Sequence, residues 1–203
     1  VGAGSLGQSA ARAFVGFGAQ VIVLDNNVNR LREVDAMFNG TVSTMMANRY
    51  NLERMVGFAD VLVGAVLQRG QRAPVLITRE MVRKMRPGSV AMDFSIDQGG
   101  CIETSRPMTL RDPTFVAEGV IHFCVPNLPA AVARTSSHAL TNALLPYLKA
   151  LAECGLECAL RDYPALRAGV KMYEGKIVSD RLANALGRGV EFDLDSFLES
   201  LSQ

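Results

Sequence analysis

The sequence has little of what usually declares a function. It carries no block of one charge: 21 lysine and arginine residues stand against 20 aspartate and glutamate, for a formal charge of +1. So balanced a chain offers no electrostatic footprint for nucleic acid or for an anionic lipid surface, and neither is expected as a partner. No apolar run reaches the roughly 18 residues of a membrane span, and no secretory leader is legible. Cysteine is scarce and scattered, at Cys101, Cys124, Cys154 and Cys158. Cys154 and Cys158 fall on one face of an expected helix, yet no histidine stands close in sequence to complete a zinc set. The reading is free, buried or half-buried thiols, no bound metal, and a reducing cytoplasmic setting. The two histidines, His122 in an apolar strand and His138 in an Ala/Leu-rich helix, read as structural. Internal repeats and low-complexity tracts are absent.

What remains is the alternation of strand and helix. With 49% hydrophobic residues in 203, the chain can bury a substantial core. Short β-branched runs at 19–25, 40–46, 60–66, 89–95 and 120–125 read as strands. Helical spacing fills 28–38, 51–59 and 78–85 between them, the last stopped by Pro87-Gly88. Strands that are continuously apolar and separated by helices imply a parallel sheet covered on both faces, the doubly wound α/β architecture. After Pro129 the composition shifts to an Ala/Leu-rich helical stretch through Tyr163, with Pro146 expected to kink or break it. Residues 160–203 mix short helices with glycine breaks and end in "DLDSFLESL". The expected division is a Rossmann-type domain over 1–129 and a helical extension over 130–203, the latter too small to build its own core.

The chain opens "VGAGSLG", and Gly2, Gly4 and Gly7 spell G-x-G-x-x-G. That spacing serves a tight turn, close backbone approach to a pyrophosphate, and close helix packing. The following helix, from Ser5 through Leu6 and onward, would offer its first N–H groups to phosphate. Asp25 ends the next strand, 18 residues past Gly7, near the spacing of an acid that binds the adenosine ribose. Its other reading is a carboxylate at a helix N-terminus. As a ribose ligand it would repel a 2′-phosphate, so NAD is preferred over NADP. Arg30, a turn into the next helix, either reaches the adenosine end or is a solvated helix arginine.

Ligands of doubly wound sheets sit at the carboxyl ends of the strands. Val66 and Leu67 lie at one such end, as nicotinamide neighbours or as ordinary packing. Asp97 lies at another, beside Gly99 and Gly100, either turning its loop or handling a proton. Asn127, between two prolines, would bind a cofactor or substrate amide, or cap the next helix.

These motifs together resemble the alanine dehydrogenase family, related to the NAD(H)-binding subunit of proton-translocating transhydrogenase. "IDQGGC" followed by "ET", with "NLPAAVARTSSHALTN", carries the resemblance more specifically than the glycine turn does. Transhydrogenases usually carry glutamate where Asp97 stands, which favours the dehydrogenase side. The resemblance implies reversible oxidative deamination of L-alanine to pyruvate and ammonia with NAD, by a homo-oligomer. It places Gly2, Gly4, Ser5, Leu6 and Gly7 at the pyrophosphate, Asp25 at the ribose and Arg30 near the adenosine. Val66, Leu67, Ile96, Asn127 and Leu128 fall along the nicotinamide half, and Asp97 beside the substrate amine as the catalytic carboxylate. Family members often have serine where Ala47 stands, which leaves a hydroxyl contact there without a carrier. In the family the substrate-binding lysine and arginine and the catalytic histidine precede the glycine turn. Neither Lys84 nor Arg134 is assigned those roles. The expectation is that a central strand and a substrate domain lie before Val1, and that residues 130–203 pack on that domain. Two alternatives stand: a transhydrogenase-type subunit passing hydride to a partner protein, and a catalytically incomplete cofactor-binding module.

Overall fold

The computed structural model describes residues 1–68 and 70–200. Position 69 of the loop after the third strand, and residues 201–203 of the tail, lie outside the described residues. Two compact units divide the chain, Val1–Asn127 and Leu128–Gln203.

The first unit begins with helix α1 (Ser5–Gly16), then β1 (Ile22–Asp25), α2 (Val28–Phe38) and β2 (Ser43–Met46). Asn27 starts α2 by accepting from the Asn29 and Arg30 N–H groups, and Asn39 ends it in the left-handed region at φ 48°. These are the cap residues local chemistry favours. Leu31, Val34 and Phe38 face inward at helical spacing and pack with Ala11 of α1 and Val23 of β1. Next come α3 (Arg49–Phe58), capped by Asn48, β3 (Val61–Gly64), α4 (Arg79–Arg83), capped by Thr78, and β4 (Val90–Asp93). Leu52 and Val56 of α3 join Leu62, Met81, Val82 and Ala91 in a second apolar cluster on the sheet.

β1 pairs in parallel with β2, β3 with β4, and β4 with β6 (Val120–Phe123). Val1 and Gly2 sit between β1 and β3. The Val1 amino group donates to the Val63 carbonyl at 2.7 Å, Ala65 N–H to Val1 O at 2.8 Å, and Gly2 N–H to Leu24 O at 2.7 Å. The spatial order is therefore β2, β1, Val1–Gly2, β3, β4, β6, the doubly wound order with the glycine turn at its centre. From Val1 a cavity of about 410 Å³ runs between β1 and β3, walled by Phe14 of α1 and by Leu52 and Met55 of α3.

The strands of this unit are shorter than the apolar runs suggested, four residues each. One strand was not expected. β5 (Thr114–Ala117) runs antiparallel to β6 at the edge of the sheet. The hairpin turns on Glu118 and Gly119, at φ 52° and 77°, the two left-handed positions of a tight two-residue turn.

The second unit holds α5 (Ala133–Asp162), α6 (Pro164–Arg167), β7 (Met172–Tyr173), β8 (Lys176–Ile177), α7 (Asp180–Leu186) and α8 (Leu194–Ser200). Two expectations are corrected here. The long helix continues through Pro146 and breaks instead at Gly155, whose φ of 78° and ψ of −180° are non-helical. Only glycine adopts that conformation without strain. Cys154 and Cys158 thus flank a break, and Cys154 is exposed. The tail also has a small core of its own: Leu160, Tyr173, Leu194 and Leu198 are buried together. Tyr173 stacks on Phe192, with ring centroids 5.4 Å apart. Its hairpin turns on Glu174-Gly175, the same dipeptide as in the first unit. Along α5, Leu140, Leu144, Leu145 and Leu148 are exposed. Among the described residues no helix is long and apolar enough to cross a membrane.

Candidate functional site

The three glycines of the opening turn meet different demands. A Cβ on Gly2 would lie 2.3 Å from the Ala65 carbonyl oxygen, and Gly2 has φ +98°. A Cβ on Gly7 would lie 1.8 Å from the Gly2 oxygen, so α1 approaches the turn only without a side chain there. At Gly4 nothing lies within 4 Å of the Cβ position, and its φ of −73° suits any residue. The chain's own packing therefore does not require glycine at this position. α1 then begins with no side-chain cap and no acidic residue in its first turn. Its leading N–H groups at Ser5, Leu6 and Gly7 have no intrahelical acceptor, and the dipole's positive end lies with them. Helix starts of this kind suit a phosphate.

Asp25, buried at the end of β1, holds the turn in place. Its Oδ2 accepts from Ala3 N–H at 2.7 Å, within the glycine motif, and its Oδ1 accepts from Asn27 N–H at 2.8 Å. The residue capping α2 is Asn27, so the helix-cap reading of Asp25 gives way to that of an acid tied to the glycine turn. A cavity of about 210 Å³ opens here, bordered by Gly2, Asp25, Arg30, Ala47, Val66 and Leu67. Five residues from three separate stretches of sequence, with Ala47, thus share one cleft. Asp25→Asn would turn an N–H donor toward one of the two backbone N–H groups. Losing a charge-assisted hydrogen bond of about 1.5–3 kcal/mol is expected to weaken dinucleotide binding roughly 10- to 100-fold. Titration of NADH fluorescence checks this, and a dissociation constant within about twofold of wild type would dismiss it.

Asp97 lies in a 3-10 turn at Ile96–Gln98, just past β4. Its carboxylate is exposed and accepts from the Asn127 backbone N–H at 3.0 and 3.2 Å. Asn127 aims that N–H from a left-handed conformation, φ 51°, on the loop after β6. Two sequence candidates are thus bonded to one another across neighbouring strand ends. Ile96 is 6% exposed and is not among the residues that border the 210 Å³ cavity. Leu128 begins the second unit. His122 is wholly buried. Its Nδ1–H donates to Val120 O, which leaves Nε2 to accept from the Thr104 hydroxyl at 2.7 Å. Burial holds its pKa below the usual histidine value, partly offset by the Val120 carbonyl, and the neutral ring is a core group. His138 is exposed on α5, and Lys84 pairs with Glu53.

Residues 1–180 match the family described as alanine dehydrogenase/PNT, C-terminal domain. The chain belongs to this family. Among relatives, it is 47% identical over 187 residues to the alanine dehydrogenase of Halomonas elongata and 46% identical to that of Mycobacterium tuberculosis (strain CDC 1551 / Oshkosh). Each match takes in 92% of this chain and 50% of the relative, so the chain spans about half their length. A solved L-alanine dehydrogenase superposes with a TM-score of 0.82 at 41% identity, over 92% of this chain and 51% of that one. A transhydrogenase from Sinorhizobium meliloti superposes with 0.67 at 24% identity, over 77% and 44%, a likeness of fold alone.

Two residues of this alanine dehydrogenase/PNT domain were missed in the sequence, Asp93 and Ser95. Ala91, Asp93 and Ser95 are all buried, at 0, 0 and 4% exposure. A polar pair at alternate positions running off an apolar strand is the signal that could have found them. Neighbouring Cys101 is fully buried, and burial first, then the Asp93 charge, pushes its thiol up to about 12. Iodoacetamide at pH 8 is expected to leave Cys101 unmodified in the folded protein and to label it after denaturation, as peptide mass mapping would read. Labelling before unfolding would contradict the burial.

Proposed function

We propose that this chain is the cofactor-binding part of an NAD-dependent alanine dehydrogenase, which interconverts L-alanine with pyruvate and ammonia. The observation that carries this reading is the bond from Ala3 N–H to Asp25. It sets an acid suited to ribose hydroxyls directly on the turn suited to a pyrophosphate. The space at Gly4 and the uncapped start of α1 fit the diphosphate, and the cleft at Asp25, Arg30, Val66 and Leu67 fits the rest of a dinucleotide. The names of the relatives support the substrate.

NAD, when bound, supplies the hydride acceptor. Gly2, Gly4, Ser5, Leu6 and Gly7 would hold the pyrophosphate through backbone N–H groups, Asp25 the adenosine ribose, and Arg30 the adenosine edge. Val66, Leu67, Ile96, Asn127 and Leu128 would border the nicotinamide half. The buried Asp25 carboxylate disfavours a 2′-phosphate by charge, which sets NAD above NADP. Asp97, its carboxylate turned toward the Asn127 N–H, would take and return the proton of the substrate amine or of the water that replaces it. The exposed leucines of α5 suit packing on the rest of the full-length protein, which would work as a homo-oligomer in the cytoplasm.

The test is alanine-dependent formation of NADH by the full-length protein, with NADP as control. Failure to reduce NAD with L-alanine would overturn the reading. Hydride exchange between NADH and a nicotinamide cofactor on a partner protein would put a transhydrogenase subunit in its place.

A further inference from the structure

We infer that Asp93 and Ser95 form a positioning centre that locks the loop carrying Asp97 to the loop carrying Val66, so that neither residue touches substrate yet both set the geometry of those that do. This rests on the roles proposed above for Asp97 and Val66.

Asp93 is the last residue of β4 and is wholly buried. A buried carboxylate is costly unless its charge is answered. Among the described residues no cationic side chain forms an ion pair with it. Three backbone N–H groups answer it instead: Ser95 on Oδ1 at 3.0 Å, and Cys101 and Ile102 on Oδ2 at 2.9 and 3.1 Å. The Cys101 thiol adds a contact at 3.5 Å. These donors stand at the two ends of the excursion that bears Asp97, so one carboxylate closes both ends of that loop. Its seat is tight. A Cβ on Gly100 would lie 2.9 Å from Asp93 Oδ2, and one on Gly64 would lie 2.4 Å from the Cys101 sulfur.

Ser95 extends the lock sideways. Its own N–H is held by Asp93, while its Oγ accepts from the Val66 N–H at 2.9 Å. The loop after β3 is thereby tied, through one hydroxyl, to the loop after β4. Asp97 then accepts from Asn127 on the loop after β6. Hydrogen bonds thus join three adjacent strand ends, and Asp93 is the buried anchor of that series. A reacting carboxylate displaced by about 1 Å can lose about 100-fold in rate, so an anchor of this kind bears on turnover more than on affinity.

The experiment compares wild type, Ser95→Ala, Ser95→Thr and Asp93→Asn in the full-length protein. Hydrogen exchange is followed at the Val66, Cys101 and Ile102 amides, alongside kcat and KM for L-alanine and NAD. Ser95→Ala removes the acceptor for Val66 together with the hydroxyl's hydrogen bond to the Cys101 thiol, and Ser95→Thr restores the hydroxyl. The expected result is faster exchange at Val66 and a roughly tenfold lower kcat in Ser95→Ala, with both KM values within about twofold, and recovery in Ser95→Thr. In Asp93→Asn, exchange at Cys101 and Ile102 should accelerate. Should that variant not fold, the serine pair decides. Unchanged exchange and kcat in Ser95→Ala would overturn the proposal, as would a loss that threonine does not repair. Wild-type protein inert toward alanine would instead refute the proposed function, and the exchange data would still decide whether the two residues hold the loops.

Discussion

Replacing Asp97 by asparagine is expected to lower alanine turnover by about 100- to 10,000-fold, the range a positioned general acid or base contributes. NAD affinity should change by no more than about threefold. The side chain is exposed, and its recorded partner is the Asn127 N–H, which an amide oxygen of the same shape can still receive. For the same reason the stability of the full-length protein should move by no more than about 0.5 kcal/mol. What asparagine cannot do is take up a proton. Steady-state kcat beside a direct NADH titration separates the two effects, and an unaltered kcat would remove Asp97 from the chemistry.

The second large effect divides the three glycines of the opening turn. Alanine at Gly7 would place a methyl 1.8 Å from a backbone oxygen, and alanine at Gly2 would combine a 2.3 Å clash with φ +98°. The obstacle is backbone in both cases, so no rotamer change relieves it. Overpacking costs about 1–3 kcal/mol and a left-handed residue about 1–2 more. Gly2→Ala should therefore lose about 2–5 kcal/mol of stability and Gly7→Ala about 1–3 kcal/mol, both along with cofactor binding. Gly4→Ala should behave otherwise. Its methyl meets none of the chain's own atoms, so stability should hold within about 1 kcal/mol while NADH affinity falls at least tenfold. Denaturant titrations paired with cofactor titrations test this. Gly4→Ala with normal NADH binding would show that the space beside Gly4 is not the diphosphate site.

Much of this could be read from the chain alone where the signal is local. The inward stripe of Leu31, Val34 and Phe38 and the apolar strands lie within a few residues of the elements they define, whereas the Asn27 and Asn48 caps emerged only from the structure. The two hairpins were missed because Glu-Gly is a weaker turn signal than Asn-Gly or Asp-Gly. Proline is the stronger helix-breaking signal in a sequence, yet α5 runs through Pro146. The break lies at Gly155, where the backbone itself leaves the helical region.

The doubly wound layering and the glycine turn followed by its acid are legible along the chain, because apolar periodicity and turn chemistry act between neighbours. The tertiary structure decided what the polar groups do. Whether Asp25 caps a helix or grips Ala3 and whether Asp97 faces Asn127 depend on which strand ends lie side by side, and whether Asp93 is core or anchor depends on how its own loop folds back. A carboxylate is placed by the N–H groups that reach it: Ala3 and Asn127 come to Asp25 and Asp97 from distant stretches of sequence, adjacent only once the sheet has formed, whereas Asp93 is answered within its own loop.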